Sequence, residues 1–183
     1  MSEEYLVRHC APTLAGLKTG SIFLCPFEDA EGLRDFLRRI NCRLGAKGLR
    51  ALPLRVTGQK ALVYIFRPKM LTGDFSCAAA AELLRQHGYD PGNCQKCVAQ
   101  LCRRVQSQPE FPHEIGLFLG YPPEDVAGFI ENRACDCKCT GCWKVYGDED
   151  AARKKFALYK KCSRVYRDCW ENGSDLQRLT VAC

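Results

Sequence analysis

Leu49-Arg50-Ala51-Leu52-Pro53-Leu54-Arg55-Val56-Thr57-Gly58-Gln59-Lys60-Ala61-Leu62-Val63-Tyr64-Ile65-Phe66 is the stretch on which the fold turns. Its first half places Leu52, Leu54 and Val56 on one face by period-two alternation, and Ala61 to Phe66 is equally β-like. Thr57-Gly58-Gln59 between them reads as the turn of an antiparallel hairpin. Pro53 has no N–H to give a neighbouring strand, so the first strand belongs at an edge.

Working towards the N-terminus, Ser21-Ile22-Phe23-Leu24-Cys25, closed by Pro26, reads as a short buried strand. Asp29 is placed to cap a helix whose apolar positions Leu33, Phe36, Leu37, Ile40 and Leu44 keep helical spacing up to Gly45. A short helix is expected from Glu4 to His9, interrupted by Pro12, with a further turn over Thr13 to Leu17. Towards the C-terminus, Arg67-Pro68 leaves the hairpin. Ser76 is read as the cap of a helix over Ala78 to Gln86 with Gly88 as its stop, and Asn93 as the cap of another through Val105. Ile115-Gly116-Leu117-Phe118-Leu119 reads either as a strand or as a tight apolar segment. Pro123 suits the first turn of a short helix that buries Val126, Phe129 and Ile130. Trp143 to Tyr146 reads as a brief strand. Asp148 caps the longest helix, which runs to about Glu171 and ends at Asn172-Gly173, and Ser174 is read as capping a last short one. The expectation is an α+β (mixed α/β) fold: one compact domain over residues 1–183, with a β-hairpin, short strands and several flanking helices. Residues 133–143 read as an insertion, and Ser107-Gln108-Pro109 as the place for a hinge.

Hydrophobic residues make up 46% of the 183, enough for a core without cross-links. The acidic start, Met1-Ser2-Glu3-Glu4-Tyr5, lacks the basic and apolar regions of a signal peptide, and no run reaches the length of a membrane span. A cytoplasmic chain with mostly reduced thiols is expected, despite 14 cysteines. The net charge is +6. The basic groups Arg38, Arg39 and Arg43, Arg103 and Arg104, and Lys154, Lys155, Lys160 and Lys161 read as solvated helix faces. Nucleic acid is not expected as a partner, since no aromatic motif of an RNA-binding module accompanies them. Walker and Rossmann fingerprints are absent, so no motif supports a nucleotide.

Cysteine supplies the most concentrated chemistry. Cys135, Cys137, Cys139 and Cys142 fall within eight residues, with Gly141 allowing a tight turn in the final Cys-x2-Cys. Thiolates at such spacing select soft metals, zinc first and an iron–sulfur cluster second. The competing reading is a loop of free or oxidisable thiols. Cys94, Cys97 and Cys102 form a second group, either as a metal half-site or as small core residues beside Leu101 and Val105. Cys162 shares helical spacing with Phe156, Tyr159, Tyr166 and Cys169 and reads as core. An enzyme-like constellation is also available. Cys10 paired with His113, and His113 oriented by Glu114, would make an activated nucleophile. His9, Arg67 and Lys144 are the companion ligand-binding candidates, and Lys18 is a further candidate to meet an anion.

Several segments carry a family resemblance. They are His9-Cys10-Ala11-Pro12-Thr13-Leu14-Ala15-Gly16, Ala61-Leu62-Val63-Tyr64 with Arg67-Pro68, Phe111 to Val126, Trp143-Lys144-Val145-Tyr146-Gly147, Lys161-Cys162 and Leu179-Thr180-Val181-Ala182. Together they resemble the domain-of-unknown-function 3793 family of anaerobic, clostridia-like bacteria. The resemblance spans nearly the whole chain and implies no established activity. It implies an iron or redox setting, with a redox or iron-metabolism protein as partner. The thiol run is denser than the family pattern. Three functions are therefore expected in order: a thiolate metal-binding protein, a small-molecule enzyme, and a cofactor-free partner-binding protein that uses its basic face.

Overall fold

Residues 49–66 form the hairpin at the centre of a three-stranded antiparallel sheet in the computed structural model, which describes residues 3–108 and 110–182. Strands β1 (Gly20–Pro26), β2 (Arg50–Thr57) and β3 (Lys60–Phe66) stand in the order β1-β3-β2, which puts the Pro53 strand at an edge. A register shift between Pro53 and Arg55 interrupts the β2–β3 ladder. β3 is apolar on both faces because both are covered. Ala61, Val63 and Ile65 pack into one core, and Tyr64 and Phe66 into another. The first core is closed by helices α1 (Glu4–Leu14) and α2 (Ala30–Gly45), with Leu176 and Leu179 from the C-terminal segment. The second is closed by α3 (Pro68–Phe75), α4 (Ala78–Gln86), α5 (Cys94–Ser107), α6 (Ile115–Phe118) and α7 (Pro123–Glu131). Helix α8 (Glu149–Glu171) packs along α1, and a small hairpin of β4 (Cys139–Thr140) and β5 (Lys144–Val145) precedes it. The fold is α+β. No helix among the described residues is long and apolar enough to cross a membrane.

Local chemistry sets most boundaries. Asp29, Asn93 and Asp148 each accept a hydrogen bond from the backbone N–H three residues on, at 2.7, 2.9 and 2.9 Å. Elsewhere tertiary packing overrides the local signal. α1 continues through Pro12 to Leu14, where an interruption was expected. The lost N–H is outweighed by burial of Leu6, Val7, Cys10, Ala11 and Leu14. α3 starts at Pro68, where the chain was expected only to leave the sheet. Ser76 ends this helix by donating to the Thr72 and Gly73 carbonyls, so Cys77 rather than Ser76 occupies the α4 cap. Residues 115–118 form one helical turn and not a strand, and all four are buried, so no alternation marked them. Among the described residues after α8 there is a turn and no final helix. Asp175, not Ser174, accepts from the Arg178 N–H at 2.8 Å. Of the expected hinge, Pro109 lies outside the described residues.

One cation joins the ends of the chain. Arg67 follows β3, is fully buried, and spreads its guanidinium over four backbone carbonyls. Nε donates to Thr13 at 2.7 Å, Nη2 to Leu14 and Val181 at 2.7 Å each, and Nη1 to Lys47 at 3.2 Å. Thr13 and Leu14 end α1, where carbonyls point outward unsatisfied and a positive charge is favoured. The ligand-binding role expected of Arg67 therefore gives way to a structural one. Arg67→Met is predicted to lower unfolding stability by about 3–5 kcal/mol, because it removes four hydrogen bonds from a buried guanidinium to backbone carbonyls. Arg67→Lys recovers little of this, since an ammonium cannot span the same fork. Urea unfolding measures both, and a loss under about 1 kcal/mol for Arg67→Met would contradict this reading.

Candidate functional site

An aromatic-lined cavity is built on α7. Pro123 starts that helix, and Asp125 in its first turn turns a carboxylate inward, at the end where the helix dipole favours a negative charge. Asp125 is buried and accepts three hydrogen bonds: from the Trp143 indole at 2.6 Å, the Tyr146 N–H at 2.7 Å and the Gly147 N–H at 2.8 Å. The β4–β5 hairpin is thereby fastened to α7. Two glycines allow the close approach. A Cβ at Gly128 would collide with Tyr146, and one at Gly141 with the Phe156 ring. Trp143 stacks on Tyr121 with ring centroids 4.8 Å apart and meets Phe156 edge-on at 4.5 Å.

Between α6, α7 and the hairpin this arrangement leaves a cavity of about 310 Å³. Phe111, Ile115, Tyr121, Val126, Phe129 and Trp143 supply its apolar lining. His113 and Lys144 also line it, so the structure brings two of the expected site residues together. His113 is exposed and leans edge-on against Phe129 at 5.1 Å. Lys144 gives one proton to the Ala134 carbonyl at 2.5 Å, and its ammonium has two more to offer.

The other expected partners lie elsewhere. Glu114 does not orient His113. It is buried, and binds Arg104 at 2.8 Å and the Tyr89 hydroxyl at 2.9 Å. Cys10 is fully buried in the core between α1 and the sheet, and no contact joins it to His113. Burial pushes its thiol well above the ordinary value, the opposite of an activated nucleophile. His9 lines a separate cleft and stacks between Tyr5 and Phe23. The proposed Cys10–His113–Glu114 constellation is therefore not assembled. Asp125, Tyr121 and Trp143 were not singled out as site residues from the sequence. Their available signal was position: an acid in the first helical turn and two aromatics flanking the thiol run.

The thiols have different neighbours. Cys142 lies beside Lys18, Cys139 near Glu149, Arg153 and Cys137, and Cys137 approaches the Thr140 hydroxyl at 3.5 Å. In the second group Cys97 is buried and donates to the Asp90 carbonyl at 3.0 Å, while Cys94 and Cys102 are half-buried against the same core. Among the described residues no three or more His, Cys, Asp or Glu side chains stand where they could together hold a metal ion. Burial raises the thiols of Cys94, Cys97 and Cys102, with Cys97 pushed up to about 11, and also those of Cys139 and Cys142. Cys162 is buried as expected, with its thiol likewise raised to about 11.

No curated protein and no solved structure matches this chain. The model of one family does match, over residues 6–180, and so takes in the Arg67 junction, α7 and the β4–β5 hairpin alike. The chain belongs to the family described as protein of unknown function (DUF3793).

Proposed function

We propose that this chain binds a flat, apolar small molecule bearing an acidic group in the cavity between α6, α7 and the β4–β5 hairpin. The observation that carries this is the lining. Six apolar or aromatic side chains surround about 310 Å³, with His113, Lys144 and the Thr140 hydroxyl as the polar groups available to a ligand. Asp125 is committed to Trp143 and to two backbone N–H groups. Small-molecule sites commonly combine such a volume with mostly apolar walls and a few polar groups that fix orientation. The flat walls of Tyr121, Trp143 and Phe129 suit a ring, and Lys144 and His113 suit a carboxylate. Binding is favoured over turnover, because among the described residues no hydrogen bond joins His113 to Lys144 or to the Thr140 hydroxyl. Calorimetric titration with 2-naphthoate tests this, with uncharged 2-naphthamide as the comparison. The acid should bind more tightly than the amide, and Phe129→Ala and Lys144→Met should each weaken it by about tenfold. No heat with the acid, or equal affinity in both variants, would remove the proposal.

A second reading rests on the loop before β4. Arg133, Ala134 and Asp136 have φ of 49°, 65° and 56°, left-handed values that cost non-glycine residues about 1–2 kcal/mol each. Such strain beside Cys135, Cys137, Cys139 and Cys142 is what a functional loop tolerates. A soft metal, zinc before an iron–sulfur cluster, would need these thiols to swing together, in the iron or redox setting that the resemblance implies. Metal analysis of anaerobically purified protein decides. Stoichiometric zinc or iron, lost in the Cys139→Ser/Cys142→Ser variant, supports the reading. A metal-free, fully folded protein defeats it.

A further inference from the structure

A second cavity lies on the other side of Tyr121. It runs between α1 and α8 and measures about 790 Å³. Lys18, Lys160, Lys161, Arg164 and Arg167 line it, and no carboxylate does. Among the described residues none of these five takes part in a salt bridge, although seven salt bridges engage other charges. Asp168 stands four residues after Arg164, the spacing of a helical ion pair, yet the two are not paired. Lys160, Arg164 and Arg167 recur at spacings of four and three, so they share one face of α8 and repel one another along it. A surface kept only for solubility would intersperse the two signs. The cleft instead concentrates one sign between two packed helices, where a low-dielectric wall strengthens its pull on anions.

The floor and one end of the cleft are equally specific. Lys18 is half-buried and anchored to the Gly20 carbonyl at 2.6 Å. Its ammonium stands 5.1 Å above the Tyr121 ring. Tyr121, Phe156 and Tyr159 make that end aromatic. The cleft therefore offers a row of cations leading to a ring-binding surface, in a volume suited to a small molecule. We infer that it binds a nucleotide-sized phosphorylated molecule, with the phosphates on Lys18, Arg164 and Arg167 and the planar ring against Phe156 and Tyr159. Guanidinium groups meet phosphate oxygens two at a time, which suits a multiply charged phosphate better than a single carboxylate. The absence of a glycine-rich phosphate loop is consistent with this, because side chains here take the place of backbone N–H groups. The site is distinct from the apolar cavity and shares only the Tyr121 wall with it.

Titration of the full chain with ADP, inorganic pyrophosphate, adenosine and a short single-stranded oligonucleotide tests the inference. ADP should bind more tightly than pyrophosphate or adenosine, and its affinity should fall as salt is raised. Arg164 and Arg167 are exposed, so Arg164→Ala/Arg167→Ala should leave folding intact while weakening ADP by about tenfold or more. Arg38→Ala, an exposed cation on α2 outside both cavities, should leave ADP binding unchanged. Absence of ADP binding, or undiminished binding in the double variant, would overturn the assignment. An oligonucleotide that binds more tightly than ADP would overturn it too, in favour of a nucleic-acid surface.

Discussion

The buried guanidinium of Arg67 is the constraint on which the rest of the architecture depends. It gathers the last carbonyls of α1, a carbonyl between α2 and β2, and the carbonyl of Val181 near the end of the chain. These segments are far apart in sequence, and one buried cation ties their carbonyls together in the dry interior. Because α1 ends on Arg67, its route past Pro12 is fixed. Lys18, four residues beyond Leu14, is then set against Tyr121. α1 packs directly along α8, and the cleft lies between them.

Asp125 plays the corresponding part on the other side. Its carboxylate replaces water with three donors from the hairpin, and so orders the Trp143 indole. Trp143 in turn holds Tyr121, the ring that faces both cavities. The two candidate ligand sites are therefore mechanically linked through one aromatic pair, although each has its own polar groups. That linkage also explains why α7 presents Phe129 and Ile130 only half-buried. The helical face that periodicity assigns to a core borders an open cavity here.

The sheet and the long helices were legible because local and tertiary signals agree. Thr57-Gly58-Gln59 demands a turn, Pro53 demands an edge, and Asp29, Asn93 and Asp148 are caps in fact as well as in pattern. Legibility failed where burial is complete. α6 is buried on every side and shows no period, and α1 tolerates Pro12 because packing outweighs one lost bond. The site was half legible. His113 and Lys144 were named and line the same cavity, while Glu114 and Arg67 were named for chemistry and serve as buried tethers. A sequence shows that a residue is charged, but not whether its charge faces a ligand or four carbonyls. The thiols attracted attention by their density. Among the described residues they do not gather into a metal-holding group, and the loop that carries them turns through left-handed residues.

The central claim is that the cavity walled by Tyr121 and Trp143 is the place where this chain meets a small molecule. The most direct measurement is protein NMR during a screen of aromatic acids, reading the Trp143 indole N–H and the methyl groups of Ile115 and Val126 beside those of Leu6 and Ile40. The account predicts shifts concentrated on Trp143, Ile115 and Val126, with Leu6 and Ile40 unmoved. Shifts absent throughout, or spread evenly over both cores, would contradict it.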